Sequence, residues 1–189
     1  DGSRGLTVIM RYTLRLLTLQ QFQRATALLC AMEVLRRRAL EDESIGLGKA
    51  PFTIGLWVGN RVTPGKTADS DKAIRDIRTG NSRGGSTPAQ LTSCPWCGSD
   101  INPGKHIDVD TYQKRTEIYC GDALQECEFS EGQSSKQSHP GLPVVVVDEE
   151  IYCRPPSMMI ATVDKFAALT WRGSARTLFG RVKEECDRH

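Results

Sequence analysis

Val8-Ile9-Met10-Arg11-Tyr12-Thr13, followed after one long amphipathic stretch by Phe52-Thr53-Ile54-Gly55-Leu56-Trp57-Val58, is the part of the sequence that decides the fold. The first three residues read as a strand that turns through Arg11-Tyr12-Thr13. Apolar residues then recur at Leu14, Leu17, Phe22, Ala25, Leu28, Leu29, Met32 and Leu35, close to a 3.6-residue period. That spacing predicts a long helix ending near Arg36-Arg37-Arg38, where cations suit the negative end of the helix dipole. Residues 52–58 are apolar nearly throughout, as in a strand covered on both faces. Strand, helix, strand is one βαβ unit, so a parallel sheet and an α/β fold are expected.

Working outward, the segment at 61–93 predicts one short helix, with Asp69 or Ser70 as N-cap and Gly80 after its end. Asn81 to Ser93 is rich in Gly, Ser and Thr and reads as a mobile linker. A cysteine-rich region follows at 94–130, and a second polar linker at 131–143. Regular structure resumes with Val144-Val145-Val146-Val147, then Met158-Met159-Ile160-Ala161-Thr162, then a helix from Asp164 to about Thr170. An α/β core interrupted by an inserted module is the organisation these patterns predict.

The chain has 189 residues, 39% of them apolar and 25% charged, a globular balance with a net charge of +2. Charge is unevenly placed. Residues 1–60 and 61–93 each carry a net +3, residues 94–140 a net −4, and residues 141–189 none. Any electrostatic footprint for nucleic acid therefore belongs to the first half. No apolar run is long enough to span a bilayer, which excludes a membrane partner through a helix. The first residues, Asp1-Gly2-Ser3-Arg4, do not read as a signal peptide, and the seven cysteines are an odd number. A reduced, cytoplasmic protein is expected rather than a disulfide scaffold.

Cys94-Pro95-Trp96-Cys97-Gly98 has the outline of a zinc knuckle: the C-x-x-C turn lets two thiolates reach one ion. Cys120 and Cys127 supply a second pair, which follows the first after 22 intervening residues and is itself separated by six residues rather than the usual two to four. Four thiolates leave no open coordination position, so a site made of Cys94, Cys97, Cys120 and Cys127 would hold Zn²⁺ structurally, one ion per chain, in a small zinc-ribbon-like β insertion. The alternatives are a redox dithiol and unmetallated cysteines. A redox pair sits at a strand-to-helix junction, and no helix pattern follows Cys97. His106 and His139 are candidates to replace Cys120 or Cys127, with a solvent-exposed loop residue as the alternative for each, Cys30 reads as a small core residue, and Cys153 and Cys186 have no partner at ligand spacing.

Two stretches imitate a nucleotide site. Gly65-Lys66-Thr67 follows a strand like the tail of a phosphate loop, but G-x-x-x-x-G-K-[ST] needs glycine at position 60, which is Asn60. Val144–Val147 followed by Asp148-Glu149-Glu150 has the form of a Mg²⁺-holding strand end, or of a buried strand leaving into a solvated acidic turn.

Residues 8–22 resemble motif Ia of superfamily 2 helicases, residues 52–59 are similar to the strand after it, and Pro156–Phe166 resembles motif Ib, with Val163 where those proteins carry proline. Together with the Cys-Pro-x-Cys-Gly insert, Asp-Glu-Glu-Ile-Tyr at 148–152, Trp171-Arg172-Gly173 and Leu178-Phe179-Gly180, the chain resembles the large helicase-like proteins of bacterial DISARM anti-phage systems. The resemblance implies part of a first RecA-like domain: a βαβ portion at 1–60, a helix and linker at 61–93, the zinc insertion at 94–130, a linker at 131–143, and a return to the RecA-like portion at 144–189. It also implies that the Walker A loop and the DExH box lie outside these residues, so that ATP and Mg²⁺ belong to the intact protein and this segment alone hydrolyses nothing. What remains is grip on the sugar–phosphate backbone of DNA, single-stranded or duplex and independent of sequence, with Thr13, Arg15 and Gln20 from motif Ia and Thr162 and Lys165 from motif Ib as contacts. Asp164 would be an N-cap, and an ordinary solvated helix face is the alternative for Arg15 and Gln20. A further protein of the defence system is the partner implied for the zinc insertion. Two other readings stay open: a non-enzymatic zinc-ribbon interaction module, and a small nucleotide-binding protein using Gly65-Lys66-Thr67 with Asp148 and Glu149.

Overall fold

A computed structural model describes residues 5–13, 15–42, 46–82, 84–134, 141–167 and 175–179. Its elements run in chain order as β1 (Val8–Tyr12), α1 (Arg15–Asp42), β2 (Ile54–Trp57), α2 (Thr67–Arg78), α3 (Pro103–His106), β3 (Ile107–Asp110), β4 (Arg115–Ile118), α4 (Glu131–Ser134), β5 (Val144–Val145), α5 (Asp148–Cys153), β6 (Met158–Thr162), α6 (Val163–Ala167) and α7 (Ala175–Leu178).

Four strands form a parallel sheet in the order β1-β6-β2-β5. The βαβ unit read from the sequence is present, but its two strands are not neighbours. β6 lies between them, pairing Tyr12 with Thr162 on one side and Trp57 with Ala161 on the other. Alternation along the strands sorts the core into two faces. Ile54, Leu56, Val58 and Ile160 meet Phe22, Leu29, Cys30 and Val34 of α1, while Trp57, Met159 and Ala161 meet Ile151 of α5 and Leu178 of α7. The sheet is thus covered on both sides, which is why its strands read as continuous apolar runs.

Helix α1 continues past Arg36–Arg38 to Asp42, and its buried face is not the one the leucines suggest. Leu17, Leu28 and Leu35 are exposed, whereas Thr18, Thr26, Glu33 and Arg36 are fully buried. Each polar group inside has a partner, as burial demands. The Thr26 hydroxyl donates to the Phe22 carbonyl at 2.7 Å, and Arg36 donates from Nε and Nη2 to both Glu33 oxygens at 2.7 and 2.6 Å. Arg36 therefore serves a buried ion pair rather than a helix end.

Residues 84–93 have no regular secondary structure, yet they are pinned rather than loose. Thr87 N–H and the Gln90 side chain both donate to the Val62 carbonyl, and Leu91 is buried in the core. Helix α2 starts at Thr67, two residues before the expected cap, because its first turn is capped from another element, as described below. The β3–β4 hairpin pairs antiparallel, Ile107 with Ile118 through Asp110 with Arg115. Ile101, Ile107, Ile118 and Phe129 belong to the same core cluster as Phe22 and Leu56, so the cysteine region is packed into the α/β body. Trp171, Arg172, Gly173, Gly180, His139 and Cys186 lie outside the described residues. Among the described residues no helix is long and apolar enough to cross a membrane.

Candidate functional site

Cys94, Cys97, Cys120 and Cys127 converge, their sulfurs all within 4.8 Å of one another. The closest pairs are Cys97–Cys120 at 3.3 Å and Cys94–Cys127 at 3.9 Å. Tetrahedral thiolates on one zinc ion stand about 3.8 Å apart, so this set could hold a metal ion and is compatible with zinc. The knuckle is built as its sequence requires. Gly98 N–H donates to the Cys94 carbonyl at 2.9 Å, and Gly98 sits at φ +84°, a conformation that side chains disfavour.

The six-residue gap between Cys120 and Cys127 is closed by Asp122. Its carboxylate accepts from the N–H groups of Leu124, Glu126 and Cys127 at 3.2, 2.9 and 3.0 Å, folding the loop back so that Cys127 faces the cluster. Gly121 has no room for a side chain, since a Cβ there would stand 1.9 Å from the Asp100 carbonyl oxygen. His106 is not among the converging ligands; its Nδ1 accepts from Asn102 N–H at 3.0 Å. At Cys97 burial works to raise the thiol pKa, but hydrogen bonding to the Ser99 hydroxyl and backbone prevails and brings it down to about 7. Burial pushes the Cys127 thiol up to about 12. The cluster leans on α1: the Arg37 guanidinium lies 5.2 Å from the Phe129 ring centroid, and Trp96 packs edge-on against that ring.

The second site lies where the parallel strands end. A cavity of about 400 Å³ opens at the C-terminal edges of β1, β6 and β2, lined by Thr13, Gly59, Thr162, Asp164 and Lys165. Such crevices are where open α/β sheets bind ligands. Thr13, Thr162 and Lys165 are thus brought together from positions up to 152 residues apart in the chain. Gln20 is exposed in the second turn of α1 and does not line the cavity, and Arg15 is the first residue of α1, its side chain outside the described atoms. Asp164 lies inside the first turn of α6, not at its cap.

Lys165 is buried, 8% exposed. Its ammonium donates to Asn60 Oδ1 at 2.8 Å and to Asp148 Oδ2, and stands 5.7 Å from the Trp57 ring centroid. Asn60 and Asp148 in turn line a neighbouring cavity of about 450 Å³, together with Gly65, Lys66, Asp69, Ser86, Glu149 and Tyr152. Sequence spacing gave no signal for Asn60 or Asp148 as partners of Lys165, which stand 105 and 17 residues away.

The acidic stretch at the start of α5 is neither solvated nor idle. Asp148 holds Lys165. Glu149 Oε2 accepts from Thr67 N–H at 3.1 Å and from its hydroxyl at 3.3 Å, and Oε1 pairs with Lys114 at 2.9 Å. Glu150 accepts from the Thr116 hydroxyl at 2.7 Å. The Lys114 contact, with the Thr67 N–H, holds the Glu149 carboxyl below its usual pKa, while burial raises that of Glu150. Gly65-Lys66-Thr67 and the acids thus do meet in space. A carboxylate, however, fills the anion position at the α2 N-terminus that a nucleotide phosphate would need.

What fold and site define together is an α/β protein with a mostly parallel sheet, a four-cysteine cluster and a polar crevice at the strand ends. No family model matches the chain. The whole chain is homologous to the DISARM protein DrmA of Bacillus paralicheniformis, 35% identical over a 198-residue alignment. It spans 16% of that protein's length.

Proposed function

We propose that this chain is part of the first RecA-like domain of a DISARM-type ATP-dependent DNA helicase or translocase, in which it grips the nucleic-acid backbone and carries a structural zinc ion in a ribbon-like insertion. A role in phage defence follows from the likeness to DrmA. ATP and Mg²⁺ bind elsewhere in the intact protein, and the segment alone is inactive.

The observation that carries the reading is the convergence of Thr13, Thr162 and Lys165, from the stretches resembling motifs Ia and Ib, on one crevice at the strand ends. Hydroxyls, an ammonium and backbone N–H groups at helix starts suit phosphate oxygens and read no base. Arg15, the first residue of α1, and Gln20, in its second turn, are the further backbone contacts that this reading assigns. The test is fluorescence anisotropy of the chain with labelled single-stranded and duplex DNA. Binding should be weak, independent of sequence and strongly salt-dependent, and Thr13→Ala with Thr162→Ala should weaken it at least several-fold. Affinity untouched by both substitutions and by Lys165→Ala would sink the assignment. In the intact protein, Arg15→Ala should lower DNA-stimulated ATP hydrolysis.

A second reading has its own support. Trp96, Tyr112 and Leu124 are exposed on the cysteine region, at 41%, 79% and 74%, as a protein-binding surface would have them. In that case a defence-system protein docks at residues 94–130, and pull-down of that protein would survive Lys165→Ala but not Trp96→Ala with Leu124→Ala.

A further inference from the structure

Lys165 stands on the wall between the two cavities, and what surrounds its ammonium bears on how the crevice takes an anion. An ammonium has three N–H donors. Asn60 accepts one and Asp148 another, and among the described residues no third acceptor is bonded to it. Asp148 cancels the charge of Lys165, and Asp164 adds a further carboxylate to the crevice. In this arrangement Lys165 offers a phosphodiester no uncompensated charge, and the Asp164 carboxylate in the lining opposes one.

Glu149 repeats the pattern one residue on, occupying the N–H and hydroxyl of Thr67 at the start of the twelve-residue helix α2. Two successive carboxylates of one turn therefore fill two positions suited to a phosphate. The turn itself is anchored. Asp148 N–H and Glu149 N–H donate to the Pro64 and Gly65 carbonyls at 3.1 Å each, and Glu149 and Glu150 are tied to Lys114 and Thr116. Lys165, by contrast, hangs on a flexible four-carbon stem from the five-residue helix α6. If one partner of the pair moves, it is the lysine.

We infer that Asp148 is an internal competitor for backbone phosphate: it holds Lys165 in the resting chain, and the crevice grips a strand only when a phosphate takes Lys165 from it. The inference rests on the reading of the crevice as a nucleic-acid contact. It makes a prediction opposite to that of a structural ion pair. Removing the Asp148 charge while keeping an acceptor should free Lys165 and tighten binding instead of weakening it.

The experiment is anisotropy of the 189-residue chain with a labelled single-stranded thymidine oligonucleotide over a range of salt concentrations. Asp148→Asn should bind several-fold tighter at low salt, because Lys165 no longer has to be taken from a competing carboxylate, and Lys165→Ala should make the log–log salt slope of the unaltered chain shallower by about 0.7, the loss of one neutralised phosphate on a single strand. Asp148→Glu, which keeps the charge, should bind as the unaltered chain does. Asp148→Asn combined with Lys165→Ala should lose the gain. An Asp148→Asn affinity equal to or below that of the unaltered chain, with Thr13→Ala and Lys165→Ala still weakening binding, overturns the competitor and leaves the crevice standing. Binding indifferent to all of these removes both. Should Asp148→Asn fail to fold by circular dichroism, the ¹⁵Nζ resonance of Lys165 in the unaltered chain decides. It must shift when the oligonucleotide saturates, and a resonance that stays put while Thr13 and Thr162 amides move overturns the inference.

Discussion

The cysteine cluster and the strand-end crevice both gather residues from distant parts of the chain, and they are held by different means. In the first, four sulfurs are aimed at one point by a knuckle turn and by the loop wound on Asp122. Any metal ion held there would add binding energy from outside the chain, as metal–thiolate bonds. In the second, the parallel sheet and its buried ion pair set the positions of Thr13, Thr162 and Lys165. No external ion is needed to form it. The two are joined through α1, whose Phe22 and Leu29 pack into the same core as Ile107, Ile118 and Phe129, and through α5, whose Glu150 reaches Thr116 on the β3–β4 hairpin. A site held by a ligand and a site held by packing need not share their fate on ligand loss; the common core predicts that these two do.

Metal removal tests that coupling most severely. Stripping the ion with a strong chelator, or Cys94→Ser, should lower Tm by roughly 10 °C or more in a single transition, because several kcal/mol of metal binding is folding energy. Elemental analysis should find one zinc per untreated chain. An unchanged Tm would mean that the cluster is not a structural metal site. Two transitions would mean that the regions fold separately, contrary to the shared core.

Glu33→Gln is the next largest. It strands the fully buried Arg36, and breaking a buried pair by removing one partner costs about 3–5 kcal/mol. Burial by itself would raise the Glu33 pKa, but hydrogen bonds from Arg36, the Phe52 N–H and Arg37 outweigh it and hold the carboxyl below its ordinary value of 4.5. A depressed carboxylate contributes stability that is complete above its unfolded pKa. That contribution should fade as pH falls below about 4.5, through the lower folded-state value, and urea melts against pH should lose this slope in Glu33→Gln.

Phe22→Ala removes a fully buried ring from the core that serves both regions, at about 3–5 kcal/mol, and should lower metal retention along with Tm. Glu149→Gln touches only the α2 start and the Lys114 contact, and should cost about 1 kcal/mol. Smallest is Leu28→Ala: at 59% exposure its loss should stay within about 0.5 kcal/mol, although the sequence period put this leucine on the apolar face.

Leu28 and its neighbour Leu29 show why part of the fold was legible and part was not. Periodicity correctly announced a helix over this stretch, because any amphipathic segment of that length satisfies its backbone in that way. Which stripe turns inward depends on what the helix packs against, and here the inward stripe carries Thr26, Glu33 and Arg36, whose polar groups find partners only in the folded chain. The polar run at 81–93 looked mobile for the same reason: its anchors, Val62 and the core around Leu91, lie elsewhere in the sequence. Asp148 and Asn60 could not be read as partners of Lys165, since an ion pair between separate elements leaves no spacing behind.

Periodicity and the C-x-x-C turn are local consequences of backbone geometry, so the strand–helix–strand start, the apolar runs of β2, β5 and β6, and the four cysteines could be read from the residues alone. The entry of β6 between β1 and β2, the capping of α2 by Glu149 and the pairing of Lys165 with Asp148 emerge only in the folded chain. Those outcomes depend on burial and charge pairing between segments tens of residues apart, which are settled when the chain closes on itself.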